Sequence, residues 1–199
     1  MWKKFFNDIF NKGNFKDYFK RNKVFLLFSL AIVILSLLSG FYNYGGYSDI
    51  ANGIMIEVTG IASLNAPVSD NFMGLFTNNF CSDIYVIAFG MIFSIPSVLL
   101  TVLNGVLIGY VFATGSFWDV FVKVLPYGIF EVIALILSLT GAFLVTKMEI
   151  RFLSGIISRK SIGDVLSRLK VPFKDLVLTL VRVLFLVVVG AIIEAYLVL

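Results

Sequence analysis

The chain has 199 residues, of which 59% are hydrophobic, and its mean hydropathy is +0.98. A water-soluble globule of this size needs far more polar surface, so the composition excludes one and predicts that lipid solvates most of the chain. Histidine is absent and Cys81 is the single cysteine, which excludes an intrachain disulfide and removes the commonest metal ligand and general base.

The apolar segments predict the fold class. Backbone inside a membrane must satisfy its polar groups internally, which leaves helices or closed barrels. The apolar runs are continuous and not alternating, so they predict an all-α, polytopic helical membrane protein with amphipathic interfacial helices. We expect a basic N-terminal segment, 1–23, and a single transmembrane domain, 24–199. Its spans are predicted at about 24–41, 84–99, 101–115, 128–146 and 176–199.

The N-terminal segment has the pattern of a short helix lying on the membrane surface. Its apolar residues recur at helical spacing between lysines and polar residues: Trp2, Phe5, Phe6, Ile9 and Phe10. The first apolar run could also belong to a signal peptide, because Ser39 and Gly40 follow its core. The basic region before it is longer than a signal peptide carries, which favours an anchoring span.

The middle of the chain predicts a broken helical hairpin. Residues 42–82 contain no Lys or Arg and are predicted to form an external segment with two helices that rest on the outer membrane surface or on the bundle. Residues 84–115 are too many for one span and few for two complete ones. A tight hairpin fits this length, with breaks at Pro96 and at Asn104-Gly105.

Small residues at four-residue spacing predict close helix packing. They are Gly105, Gly109 and Ala113. We expect them to pack against the small-residue face of the fourth span, formed by Ala134, Ser138 and Ala142.

The basic residues predict the orientation in the membrane. Fourteen of the sixteen Lys and Arg lie either before Val24 or between Lys147 and Lys174. Because Lys and Arg concentrate in cytoplasmic segments, we expect the N-terminus and loop 147–175 in the cytoplasm, and the C-terminus outside. Within this loop, Ser161 followed by Asp164 predicts the capped start of a short helix that ends before Pro172. A nucleic-acid interface is not expected, because the positive charge follows the topology.

Two acidic residues within the predicted spans indicate a polar site. Glu131 and Glu194 each share a helical face with small residues, so both are predicted to point into the bundle. We expect one shared site in the outer half of the bilayer, with at least one acid neutral at pH 7. Candidate supporting groups are Tyr127, Asn78, Asn79 and Asn104. A structural role and a role in proton or ion movement both remain open.

The other charged residues and the missing motifs argue against catalysis. Arg182 is interpreted as extending towards the membrane surface, and Asp119 with Lys123 as a local helical pair. The sequence contains no Walker loop, dinucleotide fingerprint, nucleophile elbow or metal-ligand cluster. We therefore expect no enzyme activity, no cofactor and no metal site.

Four motifs in order resemble the stage II sporulation protein M family of integral membrane proteins. They are Asn78-Asn79 before an apolar run, Asn104-Gly105 followed by Gly109, the run from Leu125 to Glu131 (LPYGIFE), and Ile192 to Tyr196 (IIEAY). The likeness covers most of the chain from Val24 onward. The family usually has histidine where this chain has Tyr127, so a proton-handling role at that position does not carry over.

The resemblance implies a membrane protein of about five spans without enzymatic activity. In spore-forming bacteria the family's namesake works with cell-wall-degrading partners during engulfment, but relatives also occur in organisms that make no spores. We therefore expect a scaffold, or a partner-recruiting component of an envelope-remodelling complex, in contact with the bilayer and with envelope proteins or further copies of itself. The alternative is a transporter or permease-like subunit, which broken helices and buried acids would suit.

Overall fold

The computed structural model describes residues 12–59, 67–159 and 161–197, and these form a helical bundle without strands in the described ranges. Its seven longer helices are α1 (Lys12–Arg21), α2 (Lys23–Tyr42), α3 (Tyr44–Thr59), α4 (Val68–Ala88), α5 (Ile95–Thr114), α6 (Leu125–Ile157) and α7 (Ile162–Leu197), and a three-residue helical turn, Phe117–Asp119, lies between α5 and α6. The predicted amphipathic helix at residues 2–10 lies outside the described residues. The all-α fold class is confirmed.

Five helical segments are long and apolar enough to cross a membrane: Lys23–Tyr42, Val68–Ile92, Ile95–Thr114, Phe117–Ile157 and Ile162–Leu197. Five crossings put α1, the α4–α5 turn and the α6–α7 loop at one end of the bundle. We call this the basic end, because it carries most of the Lys and Arg residues. The chain is therefore a multi-pass membrane protein.

The second span is longer than predicted and begins earlier. Helix α4 starts at Val68, where we expected a separate surface helix, and it continues through a 3-10 turn, Phe89–Ile92. Residues 68–92 would measure roughly 38 Å if they were α-helical throughout, which exceeds the hydrocarbon thickness of about 30 Å. The prediction of a short hairpin at 84–99 and 101–115 is wrong in its boundaries, because Asn78, Asn79 and Asp83 lie within the span.

The hairpin turns at Phe93 and Ser94, and not at Asn104-Gly105. Both turn residues have positive φ angles, 51° and 57°. The Ser94 hydroxyl lies 2.6 Å from Thr146 Oγ1, which itself donates to the Gly90 carbonyl at 2.7 Å. Pro96 occupies the first turn of α5, where its missing amide proton costs no helical hydrogen bond. Asn104 is inside α5, and its amide donates to the Leu100 carbonyl at 2.9 Å.

The small residues of α5 pack against α2. A methyl group at Gly105 would overlap the Ser36 hydroxyl, and one at Gly109 would overlap the Leu37 carbonyl. Gly40 of α2 meets the Val106 carbonyl in the same way. The prediction of close helix packing is confirmed, but the predicted partner is wrong. The α6 face meets other helices instead: Ala134 packs in the core with Val183 and Val187, and Ala142 meets Gly90.

Two prolines in the long helices are accommodated by different means. Val120–Val124 is a π-helical turn before Pro126, and there the Leu125 amide donates to the Val120 carbonyl five residues earlier. Pro172 lies inside α7, which corrects the prediction that a helix ends before it. A proline removes the hydrogen bond to the carbonyl four residues earlier, here that of Arg168. The Arg151 guanidinium of α6 donates to that carbonyl at 2.9 Å, so the helix continues.

The helices of the α6–α7 hairpin are longer than the hydrocarbon layer of a membrane, which is about 30 Å thick. They contain 33 and 36 residues, or roughly 50 Å and 54 Å at 1.5 Å per residue. Ser161 caps α7: its hydroxyl accepts from the Asp164 amide at 3.2 Å and donates to the Asp164 carboxylate at 2.8 Å. This confirms the predicted cap. Gly155 of α6 fits against Val165 of α7 near the tip, where an added methyl group would come within 2.5 Å of the valine.

Candidate functional site: an acidic cavity between the spans

The predicted polar residues meet where α4 faces α6. The Asn79 amide donates to Glu131 Oε1 at 2.5 Å, and the Asn78 amide donates to Asn79 Oδ1 at 3.3 Å. Helix α4 contributes both asparagines from its interior, while Glu131 lies less than two turns after the start of α6 at Leu125. The two asparagines therefore form a short hydrogen-bonded chain that ends on the carboxylate.

A third acid, Asp83, belongs to the same site and was not among the predicted residues. It lies one helical turn after Asn79, its exposed fraction is 7%, and it sits beside Ser138 of α6. Its charge is close enough to Glu131 for electrostatic interaction. The spacing of Asn79 and Asp83 was the available signal, because residues four apart share one helix face.

These side chains surround a cavity of about 120 Å³. Its polar lining consists of Asn79, Ser82, Asp83, Asn104 and Glu131, and its apolar lining comes from α5, α6 and α7. A water molecule needs roughly 10–15 Å³ of such space, so the cavity has room for several small ligands of that size. Asn104 therefore joins the site through the cavity wall, although it marks no helix break. We call this region the acidic cavity.

Glu194 lies beside the acidic cavity on α7. Gly190, one turn earlier on α7, brings that helix close to α6: a methyl group there would lie 3.8 Å from Glu131 Cγ. Glu194 is near enough to interact electrostatically with both Glu131 and Tyr127. Its Oε2 atom is buried and has no hydrogen-bond partner among the described residues. The structure thus brings the two predicted acids and Tyr127 into one neighbourhood.

The acidic cavity contains carboxyl groups without a cation of the protein. Both ion pairs of the described residues lie elsewhere, at Arg21–Asp175 and Lys123–Asp119. Neutral amides and hydroxyls can orient a carboxylate but cannot cancel its charge, and burying like charges together is costly. Among the described residues, no group of three or more acids, histidines or cysteines is arranged to hold a metal ion.

A second buried polar cluster, at the basic end, has the opposite character. Asp175 of α7 receives two hydrogen bonds from Arg21, at 2.5 Å and 3.1 Å, and one from the Asn22 amide at 2.9 Å. Tyr18 is fully buried and its hydroxyl lies 2.8 Å from Thr179 Oγ1. Burial raises the pKa of Tyr18, which keeps the hydroxyl neutral. We call these five residues the α1–α7 network.

Arg182 belongs beside this network and does not simply extend to the surface. Its guanidinium lies 4.0 Å from the centre of the Tyr18 ring and 4.9 Å from that of Phe19. This cation–π arrangement accommodates a charge within an apolar helix. The prediction for Asp119 and Lys123 is confirmed: they form an exposed ion pair at 2.8 Å, four residues apart.

The fold and the polar site together define a polytopic helical membrane protein with an acidic interior. A comparison with protein-family models places residues 23–198 in the family described as stage II sporulation protein M. The chain belongs to that family, as the four motifs indicated. Searches of curated proteins and of solved structures found no match.

Proposed function

We propose that this protein is a non-enzymatic membrane scaffold that recruits partners to an envelope-remodelling complex. The observation that carries this proposal is the projecting tip of the α6–α7 hairpin. Ile157 and Ile162 are 81% and 79% exposed there, and Ile156 is exposed beside them. Exposed apolar residues grouped on a rigid element are typical of an interaction surface.

Two contacts make the hairpin rigid enough to present such a surface. Gly155 allows α6 and α7 to approach at Val165, and the bond from Arg151 to the Arg168 carbonyl joins the helices about one turn further from the tip. The family membership supports the same role, because the resemblance implies a component that positions partners. We carry over this general role and not sporulation itself.

The proposal places the basic end in the cytoplasm. The warrant is that fourteen of the sixteen Lys and Arg residues lie in the sequence either before Val24 or between Lys147 and Lys174. The test is labelling of single cysteines in intact cells, in a Cys81→Ser background, with a reagent that cannot cross the membrane. Asn52→Cys should react and Ser161→Cys should not. The reverse pattern would overturn the orientation.

The recruiting role is tested by affinity purification from native membranes in a mild detergent. The wild-type chain should retain envelope proteins that an Ile157→Asp, Ile162→Asp double variant loses. Phe117→Asp is a matched control, because Phe117 is also exposed (77%) but lies at the opposite end of the bundle. If the control variant also loses these partners, or if the double variant keeps them, the hairpin tip has no role in recruitment.

A permease-like subunit is the second candidate, and the acidic cavity is the observation that favours it. Buried acids between helices are typical of proton and ion paths. In that case Glu131→Gln should fold normally but abolish the cellular function, and an ATPase subunit should copurify. If the acids are structural, Glu131→Gln should retain the function. Copurification of wall hydrolases would favour the scaffold.

A further inference from the structure

An apolar groove of about 790 Å³ runs along α6 and α7 at the basic end. Its main apolar lining residues are Met91, Met148, Phe152, Leu166, Leu169 and Phe173. Met91, Phe152, Leu166 and Phe173 all keep substantial exposure. The groove is separate from both polar clusters described above, and it is distinct from the hairpin tip.

The groove begins at the level where the hydrocarbon layer ends. The bond between Ser94 and Thr146 places the turn of the α4–α5 hairpin beside this part of α6. The Lys147 ammonium lies 5.3 Å from the centre of the Phe25 ring, close to the start of α2 at Lys23. Lysines near span ends mark the interface with the lipid headgroups. The groove starts here, at Val145, and continues along the projecting hairpin.

One acidic and one basic residue line the groove. Lys170 and Glu149 both line it, and no ion pair joins them in the ranges that the structure describes. Glu149 Oε2 is buried and has no hydrogen-bond donor from any described residue. An unsatisfied buried carboxylate oxygen is costly, so a ligand with a charged donor would be stabilised there. The groove thus complements a ligand that carries an anion, a cationic donor and an apolar chain.

We propose that this groove binds one phosphatidylethanolamine molecule from the adjacent leaflet. An acyl chain lies along the apolar lining, the phosphate lies beside Lys170, and the ammonium group donates to Glu149. Phosphatidylcholine has the same charges but no N–H donor, and phosphatidylglycerol has no cation. The headgroup requirement therefore separates this proposal from general contact with lipid.

The N-terminal segment 1–11 is the other occupant within reach along the chain, and its deletion is one of the tests below. Helix α1, which follows it, packs on the face of α7 that carries Asp175 and Thr179. Phe173 and Leu166 lie roughly 160–180° around the α7 axis from Asp175, at about 100° per residue.

The test is native mass spectrometry of the purified full-length chain, stripped of lipid in a mild detergent. Phosphatidylethanolamine, phosphatidylcholine and phosphatidylglycerol with identical acyl chains are added at equal concentration. We expect the wild-type chain to retain phosphatidylethanolamine at least ~10-fold better than phosphatidylcholine, because a charge-assisted hydrogen bond supplies a difference of that order. Glu149→Gln should remove this preference. Lys170→Gln should weaken retention of all three lipids.

Two further variants guard against indirect effects. Lys20→Gln removes an exposed lysine of α1 at the same end and should leave lipid retention unchanged. Leu169→Trp should narrow the groove and lower retention of all three lipids. Thermal unfolding checks that this variant folds. If it does not fold, the Lys170→Gln result decides whether the lipid lies in the groove.

Four results would overturn the proposal. They are equal retention of phosphatidylethanolamine and phosphatidylcholine, a preference that survives Glu149→Gln, and a preference for phosphatidylglycerol, which would indicate a simple anionic-lipid site. The fourth is stronger lipid retention after deletion of residues 1–11, which would assign the groove to the N-terminal segment.

Discussion

The α1–α7 network and the acidic cavity both contain buried carboxyl groups, but these groups have different partners. At the basic end, Asp175 is 2% exposed and is bound by the Arg21 guanidinium and the Asn22 amide. In the acidic cavity, Glu131 has a neutral amide from Asn79, and the Glu194 Oε2 atom has no hydrogen-bond donor in the described parts of the chain. In the first arrangement a cation of the chain pairs with the carboxylate, whereas in the second no described residue forms an ion pair with the acids.

This difference separates a structural cluster from a candidate functional one. A buried charge that is fully paired destabilises the fold strongly when one partner is removed. A buried charge without a counter-charge contributes little to stability, so its presence in a bundle points to another role. The comparison predicts that equivalent substitutions at the two sites will have opposite consequences for stability.

The largest effect is expected for Asp175→Ala. The substitution leaves the Arg21 guanidinium and the buried Asn22 amide without their shared acceptor, and it loosens α1 from α7. We expect the free energy of unfolding to fall by about 3 kcal/mol, since removal of one partner of a buried pair costs this much. Denaturant unfolding in detergent micelles measures it. Asp119→Ala, which breaks an exposed pair, is the control and should cost under about 0.5 kcal/mol.

Glu131→Leu should have an intermediate effect. The partly buried Asn79 amide loses its acceptor, and an unsatisfied buried donor costs about 1–3 kcal/mol, less where solvent reaches it. Glu131→Gln keeps the shape and an acceptor oxygen, so its unfolding free energy should stay close to that of the wild-type chain. The same unfolding experiment compares the two variants. Equal loss in both would show that the charge of Glu131 itself stabilises the bundle.

Tyr18→Phe tests a single bond of the α1–α7 network. It removes the hydroxyl that contacts Thr179 but keeps the ring that stacks with Arg182. We expect a loss of about 1 kcal/mol in the free energy of unfolding, typical of one hydrogen bond. Tyr85→Phe on α4 is a suitable control, because Tyr85 is exposed. A loss as large as that of Asp175→Ala would mean that the hydroxyl, and not the ion pair, holds α1.

The smallest effect is expected for Glu194→Leu. Its Oε2 atom gives up no hydrogen bond to a described residue, and the substitution removes one of the like charges near Glu131. The free energy of unfolding should stay within about 0.5 kcal/mol of the wild-type value or rise. Thermal unfolding with Glu194→Leu and Asp175→Leu side by side makes the contrast direct. Comparable losses of stability in the two variants would show that the two regions do not differ in this respect.

Periodicity and charge were sufficient to predict the class of fold. Continuous apolar runs predict helices, and the Ser161–Asp164 spacing predicts the cap of α7, because these signals are local. The start of the second span at Val68 was missed because Asn71, Asn78, Asn79 and Asp83 lower the local hydropathy. Those polar residues are tolerated within the bundle, where Asn71 and Asp83 are buried.

Contacts between residues far apart in the chain could not be predicted from the sequence. Tyr18 and Thr179 are 161 positions apart, and no local period connects them. Pro172 predicts a helix end from sequence alone. The helix continues in the structure, where Arg151 donates to the Arg168 carbonyl that Pro172 leaves without a helical hydrogen bond. The small residues of α5 indicate that a helix approaches closely, but their spacing does not say that it is α2.

The most direct test of the difference between the two regions is the unfolding free energy of a triple amide variant. Asp83→Asn, Glu131→Gln and Glu194→Gln together keep the shapes of the three side chains and remove all their negative charge. We predict that this variant is as stable as the wild-type chain or more stable, while Asp175→Asn measured beside it is clearly less stable. A triple variant destabilised as much as Asp175→Asn would show that the acids hold the bundle together, and would contradict the account.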